Sequence, residues 1–263
     1  MLWQDIQKIR SEAPLIHNIT NYVVMNITAN ALLAVGASPV MAHAQEEVAE
    51  MASHAKALVL NLGTLSAAWI DSMVKAGQTA VRAGIPIVLD PVGSGATQFR
   101  TNTAQLLLQK APPSIIRGNC SEIRSLVLDE HCTKGVDSIH NTEESIEAAL
   151  TLAQRCACVV SVSGATDVIV DKSSTIRVSN GHPIMPRITG MGCVATALTA
   201  AFAAVNQSPL RAAAHAMALM GIAGEMAAET SAGPGSFETA FLDALYNIRE
   251  FDIRNRLKME GMS

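Results

Sequence analysis

Short apolar runs rich in β-branched residues punctuate this chain, and between them apolar positions recur three or four residues apart. The runs Pro39–Ala42, Ala57–Leu62, Pro86–Leu89, Ser114–Ile116, Val159–Val162, Asp167–Val170 and Thr175–Val178 predict strands. Amphipathic stretches such as Ser66–Ala83 and Thr142–Gln154 separate the first five and predict helices. That alternation implies parallel strands, because each connection must cross the sheet and a helix is the compact way to do it. The last two runs are joined by Asp171-Lys172-Ser173-Ser174, a turn-forming cluster that predicts a hairpin. Beyond it the pattern is helical over Gly192–Val205, Pro209–Thr230 and Ser236–Arg256. The expected class is α/β, with a mostly parallel central sheet flanked by helices on both faces. No long polar linker, low-complexity segment or strong repeat interrupts the pattern, so a single domain over residues 1–263 is expected.

Composition narrows the function classes. Hydrophobic residues make up 49% of the chain and charged ones 16%, enough to bury a large core and too little charge for a disordered chain. Aromatics are 3%, so that core must rest on aliphatic side chains and methionine. A net charge of -4 supplies no basic field for nucleic acid. The Ala-rich stretch from Val194 to Val205 is too short to span a bilayer, so no membrane is expected as a partner. The five cysteines are odd in number, and Cys156-Ala157-Cys158 is too tight for a zinc site. With no basic region and apolar run at the start, the expected location is the cytoplasm.

In open α/β sheets ligands bind beyond the carboxyl ends of the strands. Four such ends carry polar or glycine-rich sequence: Asn61-Leu62-Gly63-Thr64, Asp90-Pro91-Val92-Gly93-Ser94-Gly95, Arg117-Gly118-Asn119-Cys120-Ser121-Glu122 and Ser163-Gly164-Ala165-Thr166. An acid closing a buried strand before a glycine-rich loop suits metal and phosphate, although Asp90-Pro91 is also an ordinary turn. Asn119 and Glu122 have the spacing of a helix capping box; the functional alternative has Glu122 orienting water on Mg²⁺. Arg117 could meet a nucleotide phosphate or serve a surface ion pair.

The stretch Thr189-Gly190-Met191-Gly192-Cys193-Val194-Ala195-Thr196 puts two glycines at the start of an Ala-rich helix. Free amides and the helix dipole there favour an anion such as phosphate, and they should favour the thiolate of Cys193. The plain alternative is a glycine turn before a buried helix. Near the start, Ile16-His17-Asn18-Ile19-Thr20-Asn21-Tyr22-Val23-Val24-Met25-Asn26 is a polar cluster opening a helix. Thr20 or Asn21 could cap that helix, His17 could be a hydrogen-bonded core histidine, and the cluster also suits a neutral polar substrate or a subunit contact. No P-loop, no Gly-x-Ser-x-Gly elbow and no Gly-x-Gly-x-x-Gly after the first strand is present.

Taken in order, Asp90, the Asn119-to-Glu122 pair and the late Gly190-x-Gly192 resemble the ribokinase-like kinases, a three-layer α/β/α fold. Most of those place Asp after the second glycine; Cys193 there is similar to the hydroxyethylthiazole kinase family. The runs His17 to Asn26, Gly36-Ala37-Ser38-Pro39-Val40-Met41, Leu89-Asp90-Pro91-Val92-Gly93 and Gly233-Pro234-Gly235-Ser236-Phe237 strengthen that resemblance, which extends from about Pro14 to Tyr246. It implies phosphorylation of a thiazole alcohol in thiamine metabolism, with ATP as co-substrate and Mg²⁺ as cofactor. Asp90 and Glu122 would serve the metal, Arg117 and Ser163 the ATP phosphates, and Asn21, Met41 and Gly190 the alcohol. Cys193 would lie at the reacting hydroxyl, and Gly190, Met191 and Gly192 would supply amides to the transferring group. A homotrimer with the site at subunit contacts is implied too, the apolar segment Val23–Val35 contributing. Three positions depart from the pattern: Met191 replaces the usual Thr, removing a hydroxyl near the phosphate path; Ser163 stands where Thr is common; and Cys120 sits inside the Asn-to-Glu spacing. The alternatives are another kinase of the fold, acting on pyridoxal or hydroxymethylpyrimidine, and a non-catalytic nucleotide-binding protein.

Overall fold

The computed structural model describes residues 1–127 and 142–261, with residues 142–145 by backbone alone. Its centre is a sheet whose strand order is β2-β1-β3-β4-β5-β6-β7-β8-β9. The strands are β1 (Leu15–Ile19), β2 (Ser38–Val40), β3 (Ala57–Asn61), β4 (Ile87–Asp90), β5 (Ile115–Asn119), β6 (Val159–Ser163), β7 (Asp167–Val170), β8 (Thr175–Val178) and β9 (Met259–Glu260). Pairing is parallel from β2 across to β6 and antiparallel from β6 to β9. The expected mostly parallel sheet and the β7–β8 hairpin are both present. In the hairpin turn, Asp171 Oδ1 accepts from the amides of Ser173 and Ser174, both at 2.7 Å.

Strand alternation divides the core in two. In β3, Ala57 and Val59 face one apolar layer, and Leu58 and Leu60 face the other. The first layer is built with α1 (Leu2–Glu12), α2 (Met25–Val35), α8 (Met191–Val205), α9 (Pro209–Thr230), α10 (Pro234–Asn247) and α11 (Glu250–Arg256). Opposite lie α3 (Val48–His54), α4 (Ala67–Ala83), α5 (Gln98–Lys110), α6 (Cys120–Ser125) and α7 (Thr142–Cys156). Helix ends follow local chemistry. Ser66 caps α4 by accepting from Trp69 N, and Gly84 closes it at φ 68, a conformation that side chains with a Cβ resist. Ser208 and Pro209 open α9 in the same way. From Val194 to Phe202 every residue of α8 is buried, so this helix is core on all sides.

Two expectations need correction. Residues 15–19 form the strand β1, not the opening of a helix. His17 and Asn18 are buried in it, and His17 Nε2 lies 2.7 Å from the carbonyl of Ala42. Helix α2 begins only at Met25, with no side-chain cap on its first turn; Asn21 Oδ1 instead accepts from Val23 N at 3.1 Å. Secondly, the predicted helix Ser236–Arg256 is two helices. The chain extends at fully buried Ile248, Arg10 donates to the carbonyls of Tyr246 and Ile248, and Asp252 restarts the helix by accepting from Arg249 N.

Candidate active site

Strand β1 lies between β2 and β3, so the chain leaves it in one direction and returns on its other side. Such a reversal opens a crevice at the carboxyl ends of the two strands. Asn21, just past β1, and Asn61, the last residue of β3, meet there: Asn21 Nδ2 donates to Asn61 Oδ1 at 2.8 Å. Asn61 Nδ2 in turn donates to Asp90 Oδ2 at 2.7 Å, its register partner at the end of β4. Thr196 of α8 donates to the same oxygen at 2.8 Å. All four side chains are buried. Gly63 is required beside them, because a Cβ there would lie 2.3 Å from Asn21 Cβ.

Helix α8 points its first turn at this chain of polar groups. Gly190 precedes it at φ 87, with Val24 so close that a Cβ would sit 2.8 Å from Val24 Cγ1. The first helical bond is Val194 N to Gly190 O, which leaves the amides of Met191, Gly192 and Cys193 without a helical acceptor. Cys193 is half-buried, and its Sγ accepts from Asn21 Nδ2 at 3.5 Å. Here the expected thiolate fails. Burial, then the charge of Asp90, push the thiol up to about 12, against weaker help from Asn61, Asn21 and Arg117. The field at a helix start is outweighed by desolvation and a neighbouring carboxylate. The Met191 side chain is buried in the apolar layer with α2 and α8, and its amide stays free of a helical acceptor.

Arg117 and Ser163 come together from β5 and β6, Nη2 donating to Ser163 Oγ at 2.8 Å. Arg117 is a buried cation whose Nε has no partner. Its Nη1 lies against Gly192, where a Cβ would approach it to 2.8 Å. The guanidinium therefore borders the start of α8 beside its free amides. Asp167, at the start of β7, accepts from Gly164 N at 3.0 Å and shapes the loop after Ser163. Burial raises its carboxyl to about 6 despite Arg117.

Asn119 and Glu122 do form a capping box, so that reading of the spacing is correct. Glu122 does more than cap. Its Oε1 accepts from Gly93 N at 2.9 Å, which ties α6 to the loop that follows Asp90. Burial raises the Asp90 carboxyl to about 6; Arg117 opposes the rise and Glu122 adds to it. Two neighbouring carboxylates with only oxygen donors fit a small hard cation that keeps much of its water, as Mg²⁺ does. Among the described residues no group of three or more His, Cys, Asp or Glu side chains could hold a metal ion. Met41 follows β2, next to β1 on the same edge, and is partly exposed. Every candidate residue thus lies at one end of the sheet. Sequence reasoning missed Thr196 and Asp167, and it missed Arg100, which donates to the carbonyls of Leu62, Gly63 and Val92 and so fixes two site loops. Asn61 had a signal, being the first residue of a polar strand end; Thr196 had none, since it reads as helix interior.

The sequence profile of the hydroxyethylthiazole kinase family matches residues 6–250. The chain belongs to that family. Hydroxyethylthiazole kinases of Syntrophus aciditrophicus and Nitratidesulfovibrio vulgaris (strain Miyazaki F) are 56% and 53% identical to it over 258 residues, 98% of this chain and 96% and 97% of theirs. A solved hydroxyethylthiazole kinase of Pyrococcus horikoshii superposes with a TM-score of 0.92 at 44% identity, covering 100% of this chain and 99% of that one. Pyridoxal kinase of Staphylococcus aureus shares the fold at a TM-score of 0.67 and 15% identity, over 94% of this chain and 97% of its own. Membership in the hydroxyethylthiazole kinase family sets aside the pyridoxal alternative and the non-catalytic one.

Proposed function

We propose that this site transfers the γ-phosphoryl group of ATP to the hydroxyl of hydroxyethylthiazole, the activity of the family to which the chain belongs. The observation that carries the residue assignment is the hydrogen-bonded run Asn21–Asn61–Asp90–Thr196, which joins the β1/β3 crevice and the acid to the second turn of α8. Asn21, Met41 and Gly190 hold the alcohol in the crevice. Arg117 and Ser163 hold the ATP phosphates, and the amides from Gly190 to Cys193 face the charge of the transferring group. Asp90 and Glu122 hold Mg²⁺, which when bound offsets phosphate charge. Phosphoryl transfer needs alignment and charge compensation more than covalent help. A protonated Cys193 is compatible with that: it sits against the alcohol and orders it, and as the oxygen–phosphorus bond forms and the bond to ADP breaks, the alcohol proton passes to an oxygen of the transferred phosphoryl group.

A coupled assay of ADP release tests the assignment. Thiazole alcohol should drive release in the presence of Mg²⁺ and ATP, while pyridoxal and hydroxymethylpyrimidine should give little. Robust turnover of pyridoxal with none of the thiazole would refute it. No helix of the described residues is long and apolar enough to cross a membrane, and a cytoplasmic location is part of the proposal, as is a single domain over residues 1–263.

The protein is further expected to be a homotrimer with the alcohol site at a subunit contact. Tyr22, Val23 and Leu33 lie on or just before α2 and are more than half exposed, at 65%, 62% and 59%. Tyr22 and Val23 directly follow Asn21, so a neighbouring subunit covering them would also cover the crevice. Light scattering should give three times the chain mass. Monomers with full activity on dilution would rule the arrangement out.

A further inference from the structure

The Cys156-Ala157-Cys158 segment lies at the amino end of β6, away from the carboxyl edge where Ser163 and the kinase site stand. Helix α7 ends at Cys156, and Ala157 takes φ 49, a left-handed conformation that a residue with a Cβ adopts at a cost. Cys158 N then donates back to Ala153 O at 3.2 Å, closing the helix end. This reversal places the two cysteines on either side of one left-handed residue. Cys156 is part-exposed and Cys158 is 7% exposed. Cys158 lines a surface cavity of about 360 Å³ with Ala157, Ser114, Asp171, Lys172 and Pro209.

We propose that Cys156 and Cys158 are a reactive thiol pair, which a small-molecule disulfide converts to an intramolecular disulfide with Cys156 attacking and Cys158 resolving. The Cys156 thiolate displaces one thiolate from the small disulfide and forms a mixed disulfide. Cys158 then attacks the Cys156 sulfur, giving its proton to solvent and expelling the second thiolate. Two protein thiols are oxidised and one small disulfide is reduced to two thiols, so electrons balance. The roles follow from surroundings. Cys156 is the more exposed of the two and meets the disulfide first, while Cys158 is buried behind it. Cys158 and then Arg155 draw the Cys156 thiol down, whereas Cys156 and burial push Cys158 up. The cations Arg155 and Lys172 suit an anionic disulfide such as that of glutathione.

A lowered pKa alone adds little speed at pH 7. The thiolate fraction rises, but intrinsic nucleophilicity falls with basicity, and the two nearly offset. At pH 6 a free thiol of pKa about 8.5 is almost wholly protonated, and Cys156 should then react roughly tenfold faster than free cysteine in the same solution. The test is peptide mapping of reduced protein treated with glutathione disulfide at pH 6 and quenched by alkylation. Cleavage after Arg155 and Lys172 isolates both thiols with no other cysteine. The expected product is that peptide lighter by two hydrogens. Cys158→Ser should stop at a glutathionyl adduct on Cys156, and Cys156→Ser should leave Cys158 unmodified. A lasting adduct on wild-type Cys156 without the cross-link would overturn the proposal. So would attack at Cys158 first, or a rate no faster than that of free cysteine. The wild-type map decides the matter even if a variant folds poorly, and it does not depend on the kinase assignment.

Discussion

Asp90→Asn should all but abolish phosphoryl transfer while making the cation-free protein more stable at neutral pH. The isostere keeps an oxygen able to accept from Asn61 and Thr196, so the hydrogen-bonded run survives. What it removes is a buried negative charge. Loss of a cation ligand should lower kcat/KM on the order of 10²-fold or more, about 3 kcal/mol of transition-state stabilisation, and raise the Mg²⁺ needed for half-maximal rate. The stability change runs the other way. The folded-state carboxyl of Asp90 is raised from 3.8 to about 6 by burial. The folded protein therefore binds this proton more tightly than the unfolded chain between pH 4 and 6. Wild-type stability should fall as pH rises through that window, by about 2 kcal/mol for this group. Asp167, also raised to about 6, adds a similar slope. Melting temperatures against pH without divalent cation should fall less steeply between pH 4 and 6 in Asp90→Asn than in wild type. An unchanged Mg²⁺ titration would mean that Asp90 holds no cation.

Cys193→Ala should lower kcat with little effect on ATP binding or melting temperature. Asn21 Nδ2 loses a weak sulfur acceptor but keeps Asn61 Oδ1 at 2.8 Å, so the fold gives up little. General bases contribute about 10²–10⁴-fold. A thiol held at about 12 is a poor base at neutral pH, and phosphoryl transfer leans lightly on one. The loss should therefore sit near the bottom of that range or just below it, about 10–10²-fold. Cys193→Asp should recover activity beyond the Ala variant, since Asn21 and Asn61 can donate to a carboxylate. Its pH profile is the sharper readout. Wild-type kcat should keep rising into the alkaline range as the thiol ionises, whereas the Asp variant should be flat there. A fully active Ala variant beside an unfolded Asp variant would make Cys193 a packing residue only.

The capping box at Asn119 and Glu122 was legible because it is local: four consecutive residues contain both partners. The β7–β8 hairpin and the two buried helices α8 and α9 were legible for the same reason, their signals lying within one turn or one period. Strand β1 was not. Its Leu-Ile-His-Asn-Ile sequence places two polar residues in the middle of a buried strand, where the hydrogen bond from His17 to Ala42 and the pairing with β2 and β3 stabilise it. Without β1 the reversal in strand order could not be located, so the sequence offered four candidate strand ends and no crevice.

Hydrophobic spacing alone determined an α/β layer fold, its parallel strands and the end of the sheet where the chemistry lies, because burial of apolar faces dictates those from local periodicity. Its ordered motifs determined the family. Tertiary structure decided what each polar group is. Arg117 is a buried cation facing the α8 amides, and no sequence rule distinguishes that from a surface ion pair. The Cys193 thiol is pushed up because burial and Asp90, which closes β4 far away in the chain, act on it together. Protonation states depend on such distant neighbours, whereas helix starts and strand ends do not.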